Sequence, residues 1–158
     1  MRLTFETLVP APRPVVFAFF AKPRNLARLL EGAVRFELLE VPPDVAVGRV
    51  LRAAVRYGPL WLHFAFRHTL YLPPQVFAEH QIQGPFAHFM HVHELEEADG
   101  GTLVRDRIEV RLPLWLGGEL AVRLFVAPKL RRIFEHRRRR LLELALTWPR
   151  LVPRSAAG

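Results

Sequence analysis

The sequence has no cysteine, so neither a disulfide framework nor a thiolate zinc site is open to it. Lysine is almost absent: Lys22 and Lys129 are the only two among 23 basic residues. Asn25 is the only asparagine and Ser155 the only serine. Scarcity of labile residues beside 14 prolines points to a thermostable, heat-adapted protein, although a GC-rich genome produces the same arginine bias. No apolar run approaches the ~20 residues that span a bilayer. The opening Met1-Arg2-Leu3-Thr4-Phe5-Glu6 alternates like a strand and does not read as a signal peptide. The expected location is therefore cytoplasmic.

What is present is apolar and basic. Hydrophobic residues are 51% of 158, enough for one domain with a real core. The formal net charge is +8, and such a surface can attract nucleic acid or anionic membrane. No nucleic-acid reader motif accompanies the basic run Arg137 to Arg140. The arginines are therefore expected on solvated faces, with no specific nucleic-acid partner and at most transient membrane contact.

Alternation at period two predicts strands over Arg2 to Val9, Phe36 to Val41, Arg49 to Tyr57, Leu60 to Leu72, Gln75 to Gln83, Phe86 to Glu97 and Thr102 to Leu112. Two short helices, Val15 to Ala21 and Pro23 to Leu30, fall after the first strand, with Pro14 suited to a first helical turn and Gly32 to a close. From Glu119 to Leu146 the period becomes helical, with Leu120, Leu124, Ala127, Leu130, Phe134, Leu141 and Leu144 in one stripe. Pro128 should kink or divide that helix. A single domain over 1–148 and a frayed tail over 149–158 are expected. The fold class is α+β: a curved antiparallel sheet of about seven strands beneath one long C-terminal helix, the short helices enclosing a cavity between them.

Three ionisable groups fall on the inward face. If Glu97 pairs with Thr102 across the Gly100-Gly101 hairpin, His93 faces Asp106, His91 faces Ile108, Phe89 faces Val110 and Leu95 faces Val104. The opposite set (His88, Glu94, Glu96, Arg105, Arg107, Glu109, Arg111) is polar and should meet water. A two-residue Gly84-Pro85 turn would pair His80 with Phe89 and bring His80 inward beside His91. On the helix, Arg137 interrupts the apolar stripe between Phe134 and Leu141. Such an arginine either pairs with a carboxylate, Asp106 being the candidate, or snorkels to the rim.

Glu79, Gln81, Gly84-Pro85-Phe86, Phe89-x-His91-x-His93, Gly101-Thr102, Asp106, Pro113 and Phe134-His136-Arg137 together resemble the signature of the START-related SRPBCC superfamily. This superfamily of helix-grip domains includes polyketide cyclases and lipid-transfer proteins. The pattern is most similar to that of small bacterial ligand-binding members, and the order of elements matches to about Leu146. Glu79 stands where aspartate is usual, Phe89 where tryptophan is, and His136 where tyrosine is.

The resemblance implies binding, transport or sequestration of a small hydrophobic or lipid-like molecule between sheet and helix. Its expected walls are Phe64, Phe66, Leu70, Phe89, His91, Ile108, Leu130 and Phe134, with His91, His93, Asp106 and Arg137 at a polar end. Three alternatives remain open. One is a cyclase or dehydratase with His93 as base, Asp106 orienting it and His91 polarising a carbonyl. Another is a core network that only fixes strand register. The last is zinc held by His80, His91 and His93. No other cofactor is implied.

Overall fold

The computed structural model describes residues 1–149. The frayed tail expected over 149–158 therefore lies, Pro149 apart, outside the described residues. Seven strands form one antiparallel sheet in the order β1-β7-β6-β5-β4-β3-β2. They are β1 (Arg2–Val9), β2 (Phe36–Glu40), β3 (Val50–Tyr57), β4 (Leu60–Leu72), β5 (Val76–Gln83), β6 (His88–Ala98) and β7 (Gly101–Arg111). Helices α1 (Arg13–Phe20) and α2 (Asn25–Leu30) follow β1. This is the helix-grip architecture expected from the element order.

Two residues of the hairpin close the sheet. A Cβ on Gly101 would collide with the Val9 carbonyl oxygen, so only glycine lets β1 come alongside β7 there. Next to it, the buried Thr102 hydroxyl donates to the Ala11 carbonyl at 2.8 Å. The Gly-Thr pair thus joins the end of β1 to the start of β7. The Gly84-Pro85 connection is held differently: Gln81 Nε2 donates to the Phe86 carbonyl at 2.9 Å.

The C-terminal helix is continuous in path but not uniform. A short α3 (Gly118–Ala121) runs through a wide π turn (Val122–Val126) into α4 (Ala127–Ala145). Pro128 sits in the first turn of α4, so the wide turn just ahead of it absorbs the backbone donor that proline lacks. The division expected at Pro128 thus falls at the wide turn just ahead of it, with helix on both sides. Among the described residues, no helix is long and apolar enough to cross a membrane.

The interior consists of two apolar clusters. One gathers Val9, Val16, Phe17, Phe20, Phe77, Leu95, Val104, Leu141 and Ala145 beneath α1. The other gathers Leu3, Phe89, Ile108, Val110, Val122, Ala127 and Phe134 beneath the start of α4. Each strand and helix that crosses from one cluster to the other carries a polar residue at the crossing. On β6 these are His91 and His93, between Phe89 and Leu95; on β7, Asp106 between Val104 and Ile108; on α4, Arg137 between Phe134 and Leu141. A polar layer separates two greasy ones.

The outer face is paired charge. Arg105 meets Glu6 at 2.7 Å and Glu96 at 2.9 Å, and Arg107 meets Glu94 at 3.0 Å. These two arginines of β7 are thus compensated within the sheet.

Candidate functional site

The β6–β7 register is the one the hairpin dictates: Phe89↔Val110, His91↔Ile108, His93↔Asp106 and Leu95↔Val104. Consequently His91, His93 and Asp106 are all buried, at 5%, 5% and 7% exposure. From the helix, Arg137 reaches them with 8% exposure and stands 3.7 Å from Asp106. It pairs and does not snorkel; its guanidinium also lies 4.4 Å from the centre of the Phe134 ring.

The β5 register differs from the expectation. His80 pairs with Met90, and Glu79 pairs with His91. The four residues 84–87 between β5 and β6 are not a two-residue turn, the pairing lies one residue from the expected one, and a one-residue slip exchanges the faces of a strand. His80 is therefore outside, 5.2 Å from the ring of His88, and takes no part in the buried histidine group. Glu79 takes the inward place. Candidate metal ligation by His80, His91 and His93 is replaced by Glu79, His91 and His93, whose donor atoms lie within 4.8 Å of one another.

A second correction falls on β4. The register shifts between His68 and Leu70, so that His68 points inward and Leu70 outward, 37% exposed. Tyr71 takes the inward place that period-two counting gives to Leu70 and Leu72. Leu70 is no wall of any cavity beneath the helix.

The polar layer is bonded through one carboxylate oxygen. Asp106 Oδ1 lies 2.8 Å from His91 Nε2 and 2.7 Å from His93 Nδ1, the second contact bent away from hydrogen-bond alignment. Glu79 Oε1 faces the remaining nitrogens, His91 Nδ1 at 3.4 Å and His93 Nε2 at 4.0 Å. Its other oxygen is 3.7 Å from His68 Nε2. His68 Nδ1 in turn lies 3.2 Å from the Arg49 carbonyl, which can only accept, so that nitrogen carries the proton. Phe77 stacks on His93 at 4.2 Å and fixes its ring plane.

Burial would raise both carboxyls, but their partners win. For Asp106 the Arg137 charge and the bonds from His91 and His93 hold it well below the ordinary carboxylate range. For Glu79 the bonds and charges of His91 and His93 hold it below that range. His91 shifts the other way: burial would lower it, and bonding to Asp106 and Glu79 raises it above the ordinary imidazole value.

A cavity of about 70 Å³ adjoins this layer, lined by Phe19, Phe20, Leu26, Leu29, Val45, Leu51 and Phe77, with His68, Glu79, His91, His93 and Arg137 supplying its polar wall. Of the expected lining residues, His91, His93 and Arg137 border it. Phe89, Ile108 and Phe134 instead belong to the second cluster, with Leu130 and Phe66 against it, and Phe134 borders with Asp106 and Arg137 a separate void of only about 10 Å³. Phe64 belongs to the same aromatic group, stacked 5.8 Å from Phe66 and tilted 6.1 Å from Phe86. Asp106 stands behind the histidines. The space lies under α1 and α2, not under the aromatic group. Phe19, Phe20 and Leu29, missed as lining, are apolar residues of short helices whose docking position no periodicity reveals.

The family described as polyketide cyclase / dehydrase and lipid transport matches residues 9–137. Among solved structures, the chain is similar to protein CV1439 from Chromobacterium violaceum, with TM-score 0.71 and 15% identity over 91% of this chain and 96% of that one. It is similar to the AHSA1-like protein from Aeromonas hydrophila, with TM-score 0.65 and 15% identity over 92% and 95% of the two chains. A third likeness is to Ara h 8.0201, with TM-score 0.64 and 18% identity over 90% and 98%. At these identities the likeness establishes the fold. No curated protein matches the chain significantly.

Proposed function

Because the chain belongs to the polyketide cyclase / dehydrase and lipid transport family of the SRPBCC superfamily, we propose that it binds a small molecule with an apolar body and an oxygen-bearing end beneath α1 and α2. One observation carries this: a cavity with apolar walls on which His91, His93, Glu79 and Arg137 converge from three different elements. Few polar groups at fixed positions in an apolar enclosure are the ordinary composition of a ligand site.

Volume sets a condition. About 70 Å³ holds roughly two waters at ~30 Å³ each, whereas pockets for drug-sized ligands run from about 300 Å³ upward. Binding thus requires the roof to move, and α2 is the part suited to it. Only Leu29 of its six residues is buried. Few side-chain ties hold its ends: Asn25 Nδ2 donates to the Phe19 carbonyl at 2.7 Å, His136 Nε2 lies 2.7 Å from the Glu31 carbonyl, and Arg140 pairs with the exposed Glu31 side chain at 3.5 Å. A membrane surface as the source of the ligand is supported by the exposed Leu114 and Trp115, 92% and 81% accessible, in a stretch that also carries Arg123 and Lys129.

Native mass spectrometry of protein purified from its host, followed by thermal-shift screening with fatty acids, quinones, isoprenoids and aromatic polyketides, tests the proposal. A copurified small molecule, or stabilisation by one class that Phe20→Trp abolishes by filling the cavity, supports it. No bound molecule and no stabilisation by any class would leave the polar layer as a register-fixing core. Acid–base chemistry by His93 keeps one observation in its favour, the Asp106 oxygen 2.7 Å behind its Nδ1. Full turnover of a discovered substrate by His93→Ala would remove it.

A further inference from the structure

We propose that Glu79, His91 and His93 form a binding site for one divalent transition-metal ion, Zn²⁺ being the best chemical match, with the remaining coordination position open to the cavity. The proposal goes beyond ligand binding and stands whether or not an organic ligand is found.

Tautomers carry the argument. A bare ring nitrogen aimed at a carboxylate oxygen 2.8 Å away would set two lone pairs against each other, so His91 Nε2 bears its proton toward Asp106; His93 Nδ1 lies 2.7 Å from the same oxygen off its axis, and the carboxylate charge beside it favours the proton on that nitrogen. The lone pairs of the neutral rings then lie on His91 Nδ1 and His93 Nε2, the two atoms that face Glu79 Oε1 at 3.4 and 4.0 Å. Ligands about 2.0–2.2 Å from a tetrahedral zinc are themselves ~3.3–3.6 Å apart, so only small adjustments bring the three atoms onto one ion. A carboxylate that orients two imidazoles from behind is the outer support that zinc-binding histidines ordinarily have. Arg137, 3.7 Å from Asp106, neutralises that support.

Charge and donor type agree. With neutral imidazoles, Glu79, Asp106 and Arg137 sum to one negative charge in a buried layer, which a dication answers when an anionic oxygen completes its shell. Two nitrogens and one carboxylate oxygen suit zinc, cobalt or nickel, and not calcium or magnesium, which demand oxygen. His68, with its protonated Nδ1 turned to the Arg49 carbonyl, leaves an unprotonated nitrogen 3.7 Å from Glu79 Oε2 and so offers that carboxylate no hydrogen bond in place of an ion.

The test uses the full chain without a polyhistidine tag, stripped with a chelator and titrated with Zn²⁺ by calorimetry and with Co²⁺ by visible absorption. One equivalent bound with micromolar affinity or better, and the intense visible bands of four-coordinate cobalt, are expected. Glu79→Gln and His93→Gln should each weaken Zn²⁺ at least about tenfold, and Asp106→Asn by about 10–100-fold through its support of the rings. The outer pair His80→Ala/His88→Ala should leave affinity unchanged. Absence of saturable Zn²⁺ binding, weak six-coordinate cobalt spectra, or binding lost in the outer pair and kept in His93→Gln would each overturn the site. Should the inner variants not fold, titration and spectrum of the unaltered chain decide alone. Because no organic molecule is present, failure here does not touch the ligand proposal, nor does failure of that proposal touch this one.

Discussion

Asp106 is the residue on which the interior depends, since one of its oxygens touches His91, His93 and Arg137. Removing it leaves a buried guanidinium unpaired, and such losses cost about 3–5 kcal/mol. Asp106→Ala should therefore lower stability by about that amount in urea titration. A loss below about 1 kcal/mol would mean that water, not Asp106, satisfies Arg137. Acidity acts through the same group. Burial favours the protonated form, yet Arg137, His91 and His93 depress the folded-state pKa of Asp106 below its unfolded value. Its contribution is complete above about pH 4 and drains away as pH falls through the depressed value. His91 has the opposite sign: burial opposes its charge, but Asp106 and Glu79 raise it, so its contribution is complete below about pH 6.5 and is lost as pH rises through the raised value. The urea midpoint of the metal-free protein should peak between these limits, with Glu79, His93 and Arg137 the other charged or titratable groups facing the pair. In Asp106→Asn the acid limb should flatten; an unchanged acid limb would assign acid unfolding elsewhere.

At the scale of elements, the β1–β7 seam and α2 make contrasting demands. Gly101 admits no side chain, because its Cβ would overlap the Val9 carbonyl. Gly101→Ala should cost about 1–3 kcal/mol or more by forcing the strands apart, whereas Gly100→Ala, with open space around it, meets only its φ of +84°. Equal losses at the two positions would refute the seam as the cause. In α2, one buried leucine and a few side-chain ties at its ends predict amides that exchange faster than those of β6 and β7 in hydrogen–deuterium exchange. His136→Ala should speed α2 exchange further and leave the strands unchanged. Protection of α2 equal to the sheet would exclude it as a movable roof. The β5 strand shows why part of the site was illegible. Its even positions, Val76, Ala78 and Ile82, are apolar and nominate His80 for the interior; the odd positions face inward and include Glu79 and Gln81. Where a site lies on the inner face, polarity runs against the usual pattern, and only the length of the Gly84 connection decides between the two faces.

For the whole molecule, the exposed apolar residues Leu114, Trp115, Leu120, Leu124 and Phe125 gather in one connection and the first turns of the C-terminal helix, with Arg123 among them. Flotation with anionic vesicles should show weak, salt-sensitive association that Trp115→Ser diminishes. No association at low salt would remove the membrane from the account. The sequence by itself determined the antiparallel sheet, the long helix, the β6–β7 register and the interior positions of His91, His93 and Asp106, because a local hairpin and a single helical stripe are settled by neighbours a few residues apart. Only tertiary structure decided that Glu79 replaces His80, that a register shift turns Leu70 outward, that Arg137 pairs with Asp106 and that the larger free space lies under α1 and α2. Those outcomes depend on one-residue slips and on the docking of short helices, where residues far apart in the chain compete for the same volume.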